Sequence, residues 1–210
     1  MSRIGVYKAV EAHFPAMGVD TVARLDGAKA KALYDAGMRF VARYLGTLDA
    51  TELVAITGAG LAVIAVTYSR ASGWTPSEAL GTSDGKTAVA RAAAVRLPVG
   101  ATLFLDLEGC VGPAPVTTAW ANAWATVVQA AGYGAGLYVG AAPGGLDDNG
   151  LYALKVNRYW RSGSRVPEPK CGYCMLQLYP FNTTIGGVQV DIDVIQQDRH
   201  NRLPCWTVEA

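Results

Sequence analysis

What most constrains this chain is an alternation that runs for three quarters of its length and then stops. From Gly18 to Leu154, short β-rich runs take turns with amphipathic or alanine-rich stretches. Gly18-Val19-Asp20 reads as a strand, and Asp26 caps a helix that Gly37 ends. Arg39 to Tyr44 is a second strand, Asp49 or Thr51 opens a helix stopping at Gly58, and Leu61 to Tyr68 is a third strand. After a loop with Trp74, an alanine-rich helix is expected over Asp84 to Arg96, and Pro98 and Gly100 then turn the chain into a strand from Thr102. Pro115 starts the longest helix, ending at Gly132, with Trp120, Trp124, Val127 and Val128 as its core stripe. Gly136 to Val139 is a fifth strand, and Leu146 to Leu154 a shorter helix.

Beyond that point the runs Asn157–Trp160, Met175–Tyr179 and Val188–Val194 are separated only by Gly-, Pro-, Ser- and Asn-rich turns, with no room for helices. About five βα units followed by three loop-linked strands predict an irregular TIM-like (β/α) barrel with its helices outside. An open, doubly wound α/β sheet is the alternative. The 210 residues suffice for one domain, with its core at about 17–198 and short extensions at both ends.

Thr102-Leu-Phe-Leu-Asp-Leu-Glu-Gly109 is an apolar run ending in two carboxylates one residue apart. Side chains alternate along a strand, so Asp106 and Glu108 point the same way, where the strand gives out into glycine. Two carboxylates held close cannot both ionise freely, and one can then donate a proton near neutral pH. A turn or helix-cap role is the bland alternative for such a triplet.

Charge says little about partners: 18 Lys and Arg balance 17 Asp and Glu, leaving no basic excess for nucleic acid or an anionic membrane. The first residues, MSRIGVYKAVEAHF, carry no apolar segment followed by a small-residue cleavage site, so synthesis and folding in a cytoplasm are expected. Of the four cysteines, Cys171 and Cys174 have C-x-x-C spacing but lack the second pair of a zinc site; free thiols or a chance disulfide, and no metal, are expected. Asp147, Asp148 and Asp198 read as solvated loop or cap residues.

In such a barrel the active site lies at the carboxyl ends of the strands. Those ends carry Asp20, Arg43 with Tyr44, Tyr68, Asp106 with Glu108, Tyr138, Trp160, Gln177 with Tyr179, and Asp191 with Asp193. Carboxylates do proton work and flat rings stack on sugar faces, so this set suits carbohydrate hydrolysis. Core packing is the alternative for the aromatics, and rim hydrogen bonding for Asp20 and Asp191.

The order of these motifs resembles glycoside hydrolase family 25, the lysozymes that cleave peptidoglycan at N-acetylmuramic acid. It is closer to their relatives grouped as domain of unknown function 1906, through Gly18-Val-Asp-Thr21, Phe40-Val-Ala-Arg-Tyr44, Ile56-Thr-Gly-Ala-Gly-Leu61 and Ser83-Asp-Gly85. The resemblance spans about Gly18 to Asp198 and implies the same irregular barrel. It implies that Asp106 and Glu108 are the catalytic D-x-E pair, with Asp20 and Asp191 as the family's other acidic positions. Asp193 stands where family 25 usually has asparagine, and Glu108 is retained although relatives in the unknown-function group often lack it. Substrate contacts are expected from Tyr44, Tyr68, Tyr138, Trp160, Gln177, Tyr179 and Asp193. The expected activity is cofactor-free muramidase action by a monomer of phage-endolysin type, reaching the wall through a separate pore. A non-catalytic wall-binding protein and a hydrolase of another glycan are the alternatives.

Overall fold

The structure is a computed structural model that describes residues 5–67 and 70–210. The strands are β1 (Tyr7–Glu11), β2 (Ala16–Asp20), β3 (Phe40–Tyr44), β4 (Ala62–Thr67), β5 (Thr102–Leu107), β6 (Gly134–Val139), β7 (Arg158–Arg161), β8 (Met175–Ile185), β9 (Val188–Ile195) and β10 (Cys205–Glu209). The helices are α1 (Gly27–Asp35), α2 (Ala50–Gly58), α3 (Glu78–Ala94), α4 (Ala114–Ala130) and α5 (Asp148–Tyr152). Every residue of β4 and β5 is buried, as expected of strands covered on both faces.

Eight strands close a barrel in the order β4-β3-β2-β9-β8-β7-β6-β5, with β5 returning to β4. From β2 round to β8 neighbouring strands are parallel; β9 runs antiparallel to both β8 and β2. Helices follow β2 to β6, and loops join β7, β8 and β9. This is the TIM-like barrel with five βα units and three loop-linked strands; the open sheet is excluded.

Alternation divides the core in two. Phe40, Ala42, Ile64, Val66, Phe104, Tyr138, Trp160 and Met175 fill the barrel, whereas Val41, Val63, Leu103, Leu105, Leu137 and Tyr159 pack outward beneath the helices. Trp120, Trp124 and Val128 of α4 join this outer layer.

Several expectations are corrected. α3 begins at Glu78, capped by the Ser77 hydroxyl, so Asp84 is not its start but lies buried within it. The short terminal extensions are strands of the same sheet: β1 pairs with β10, and β10 touches β4 through Thr207 and Val63. β8 continues past Tyr179 to Ile185, forming with β9 a hairpin whose register shifts between Leu178 and Thr183. Asp198 is buried, accepting from Arg202 Nε at 2.7 Å and from the backbone N–H groups of His200 and Arg202.

Candidate active site

The inward positions at the carboxyl ends of the parallel strands converge on one mouth. β2 brings Asp20, β3 Tyr44, β5 Asp106 with Glu108 just past its end, and β6 Tyr138. The antiparallel β9 delivers Asp191 and Asp193 to this end because Asp191 sits opposite Asp20 in the ladder.

Asp106 is 5% exposed and accepts a hydrogen bond from the Tyr44 hydroxyl at 3.0 Å on Oδ2, while its Oδ1 has no donor among the described residues. Burial, and then the charge of Glu108, push its carboxyl up to about 8. Glu108, by contrast, is not buried. It is exposed at the lip, where the backbone N–H of Ala141 donates to Oε1 at 3.3 Å. A Cβ at Gly140 would stand 2.5 Å from the Glu108 Cβ, so only glycine leaves this carboxylate its place.

Gln177 ties the opposite wall together. Its Nε2 donates to Asp20 Oδ2 and to Asp191 Oδ2, both at 3.0 Å, and its Oε1 accepts from the Gly163 N–H at 2.9 Å. The backbone N–H of Asn182, in the irregular stretch of β8, also donates to Asp191. Desolvation raises Asp20 to about 6, Asp193 and Gln177 oppose the shift by hydrogen bonding, and the charges of Asp191 and Glu108 add to it. Asp193 lies deeper, fully buried, with Trp160 Nε1 donating to Oδ1 at 2.9 Å. Tyr138 forms the floor; desolvation first, then the charges of Glu108, Asp20 and Asp106, raise its hydroxyl far above the usual range.

Not every expected residue faces the mouth. Arg43 points outward and is buried against Glu52 of α2, Nε to Oε1 at 2.9 Å. Trp160 is 3% exposed beneath the carboxyls and has no face left for a sugar. Tyr179, 85% exposed, stands out on the β8–β9 hairpin with its ring 5.9 Å from that of Phe181. Tyr68 lies outside the described residues. Cys171 belongs to the outer layer and Cys174 to the barrel interior, so this pair does not share a face; burial pushes the Cys174 thiol up to about 12.

Sequence reasoning missed Trp74 and Arg70. The Trp74 indole donates to the Glu108 carbonyl at 2.7 Å, and the Arg70 guanidinium lies 5.0 Å from the Trp74 ring while pairing with Asp84 at 2.8 Å. Asp84 also accepts from Trp120 Nε1 at 3.0 Å, so a buried helix carboxylate anchors the lip beside Glu108. The Ser83-Asp-Gly85 segment was the one signal of this arrangement.

Residues 31–173 match the Rv2525c-like, glycoside hydrolase-like domain. The chain belongs to this family. No curated protein matches it. Among solved structures, the Tat-secreted protein Rv2525c of Mycobacterium tuberculosis, in complex with L-tartrate, superposes with a TM-score of 0.64 at 16% identity, covering 87% of this chain and 96% of that one. The lysozyme of Streptomyces coelicolor gives 0.57 at 16% identity over 88% and 95%. The catalytic domain of endolysin ply40, from bacteriophage P40 of Listeria monocytogenes, gives 0.56 at 17% identity over 88% and 95%. At these identities the likeness is one of fold: this family member shares its barrel with lysozyme and endolysin catalytic domains.

Proposed function

We propose that this protein is a peptidoglycan hydrolase of lysozyme type, cleaving the β-1,4 bond after N-acetylmuramic acid. The observation that carries this reading is the convergence of five carboxyls, from β2, the end of β5, and β9, on one mouth of a barrel shared with lysozyme and endolysin domains. Glycoside hydrolysis needs an acid that reaches the leaving oxygen and negative charge beside the oxocarbenium-like transition state.

Glu108 is the member of the D-x-E pair open to solvent, and it is the group that delivers the proton to the leaving oxygen. Asp106, which holds its proton up to about pH 8, is placed below it to hydrogen-bond the substrate's acetamido group. Asp191 and Asp20, held by Gln177, supply negative charge opposite. Tyr44 and Tyr138 complete the floor.

The test is clearing of a peptidoglycan suspension, with mass spectrometry of the digest. Soluble fragments ending in reducing N-acetylmuramic acid are expected. Wall binding without cleavage would replace the reading with a glycan-binding role, and fragments ending elsewhere would change the bond assigned.

A further inference from the structure

The acidic wall contains one carboxyl more than the proposed chemistry uses. Asp193 is 0% exposed; Trp160 Nε1 occupies Oδ1, and among the described residues no N–H or hydroxyl donor reaches Oδ2. On the antiparallel β2–β9 ladder Asp20 faces Asp191, and Asp193 faces Gly18, so Asp193 is the diagonal neighbour of Asp20 on the inward face. The shared face thus sets two carboxyls side by side, one of them fully buried with an unsatisfied oxygen. Two neighbouring carboxylates withdrawn from water repel each other unless one of them keeps its proton, and among the described residues no ion pair includes either group. We propose that Asp193 is a positioning residue that stays a neutral carboxylic acid, its Oδ2–H donating to Asp20 and fixing Asp20 at the mouth.

The surroundings favour this form from every side. Asp20 on β2 and Asp191 on β9 are the carboxyls whose charges press on Asp193, and Asp106, Glu108, Tyr44 and Tyr138 stand further round the mouth. The neutral neighbours Trp160 on β7 and Gln177 on β8 bring donors, one to Asp193 and one to Asp20. Desolvation first, and then Asp20, hold Asp193 well above the usual carboxylate range. An asparagine would present an N–H where the acid presents its O–H, at nearly the same size and without a proton to lose.

Two measurements test this, and only the kinetic one rests on the hydrolase reading. A carboxyl that is protonated folded and ionised unfolded takes up a proton on folding, so stability falls as pH rises above the unfolded value of about 4. The folding equilibrium constant of Asp193→Asn should therefore gain on wild type by up to about tenfold per pH unit above pH ~5, read from denaturant unfolding at several pH values. Parallel curves for the two proteins would show Asp193 ionised and overturn the proposal, whether or not the wild type hydrolyses anything. In the kinetic arm Asp193→Ala should lower kcat on the order of 10²-fold through misplacement of Asp20, and Asp193→Asn should restore most of it. Equal losses in both variants would overturn the positioning role.

Discussion

Asp106 and Glu108 are chemically near-identical groups two residues apart, and burial is the first thing that separates their work. The exposed Glu108 contributes to the site but little to the fold, so Glu108→Gln should lose on the order of 10²-fold or more in activity with unfolding free energy within about 0.5 kcal/mol of wild type. Undiminished clearing would remove Glu108 from the mechanism. The buried carboxyls set the pH response. A step that needs protonated Asp106 fails as pH rises through about 8, and one that needs ionised Asp20 fails as pH falls through about 6, so kcat/KM should peak between these values. The Tyr44 hydroxyl favours the ionised form of Asp106 by donating to it. Tyr44→Phe should accordingly move the alkaline limb to higher pH, and a downward move would show that Asp106 is not the group titrating there.

Among the elements, α3 shows where the sequence is legible and where it is not. Its alanine-rich stretch from Asp84, with Gly85 inside it, reads as helix, but the part before it, with Gly81 and Ser83, reads as a loop because glycine weakens an isolated helix. In the folded chain those glycines let α3 lie against α4: a Cβ at Gly81 would stand 2.1 Å from the Trp120 carbonyl oxygen, and one at Gly85 2.8 Å from the Val127 Cβ. The constraint is tertiary, and no local pattern states it. Gly81→Ala should therefore destabilise by about 1–3 kcal/mol in urea unfolding, although alanine is the better helix former; a stabilised variant would mean that the helices can part freely. Arg43 gives the same lesson on a strand. Its position at a carboxyl end suggested the mouth, but the period of two turns it outward to Glu52, whereas Tyr44, one residue on, faces Asp106. Asp20 and Asp106 were legible because strand end and inward parity coincide in each; Asp191 lies in the middle of β9 and reaches the mouth only because that strand runs antiparallel, and the burial that makes Glu108 and Asp106 differ was not legible.

At the scale of the whole molecule, the barrel has two unlike ends. The carboxyl end is open and acidic; the other is closed by segments that, from sequence, looked like mere extensions. Trp206 of β10 is 3% exposed and packs on Phe40, the first residue of β3, and on His13, with ring centroids 6.0 and 4.8 Å away. Beside it the Cys205 N–H donates to Thr102 Oγ1 at 2.9 Å, and Arg158 Nε donates to the Leu203 carbonyl, both tying the C-terminal segment to the starts of barrel strands. This pairing joins residues about two hundred positions apart, and each strand alone is too short and too mixed in character to announce it. Closing the barrel floor with an indole removes a large apolar surface from water, so Trp206→Ala should cost about 3–5 kcal/mol of stability in denaturant unfolding. Because the plug and the carboxyls occupy opposite ends, with the Phe40–Ile64–Phe104 layer between them, the same substitution should leave both limbs of the kcat/KM profile in place. A shift of either limb by Trp206→Ala would show that the floor of the barrel holds the acidic mouth in register, and the two ends would then have to be treated as one device.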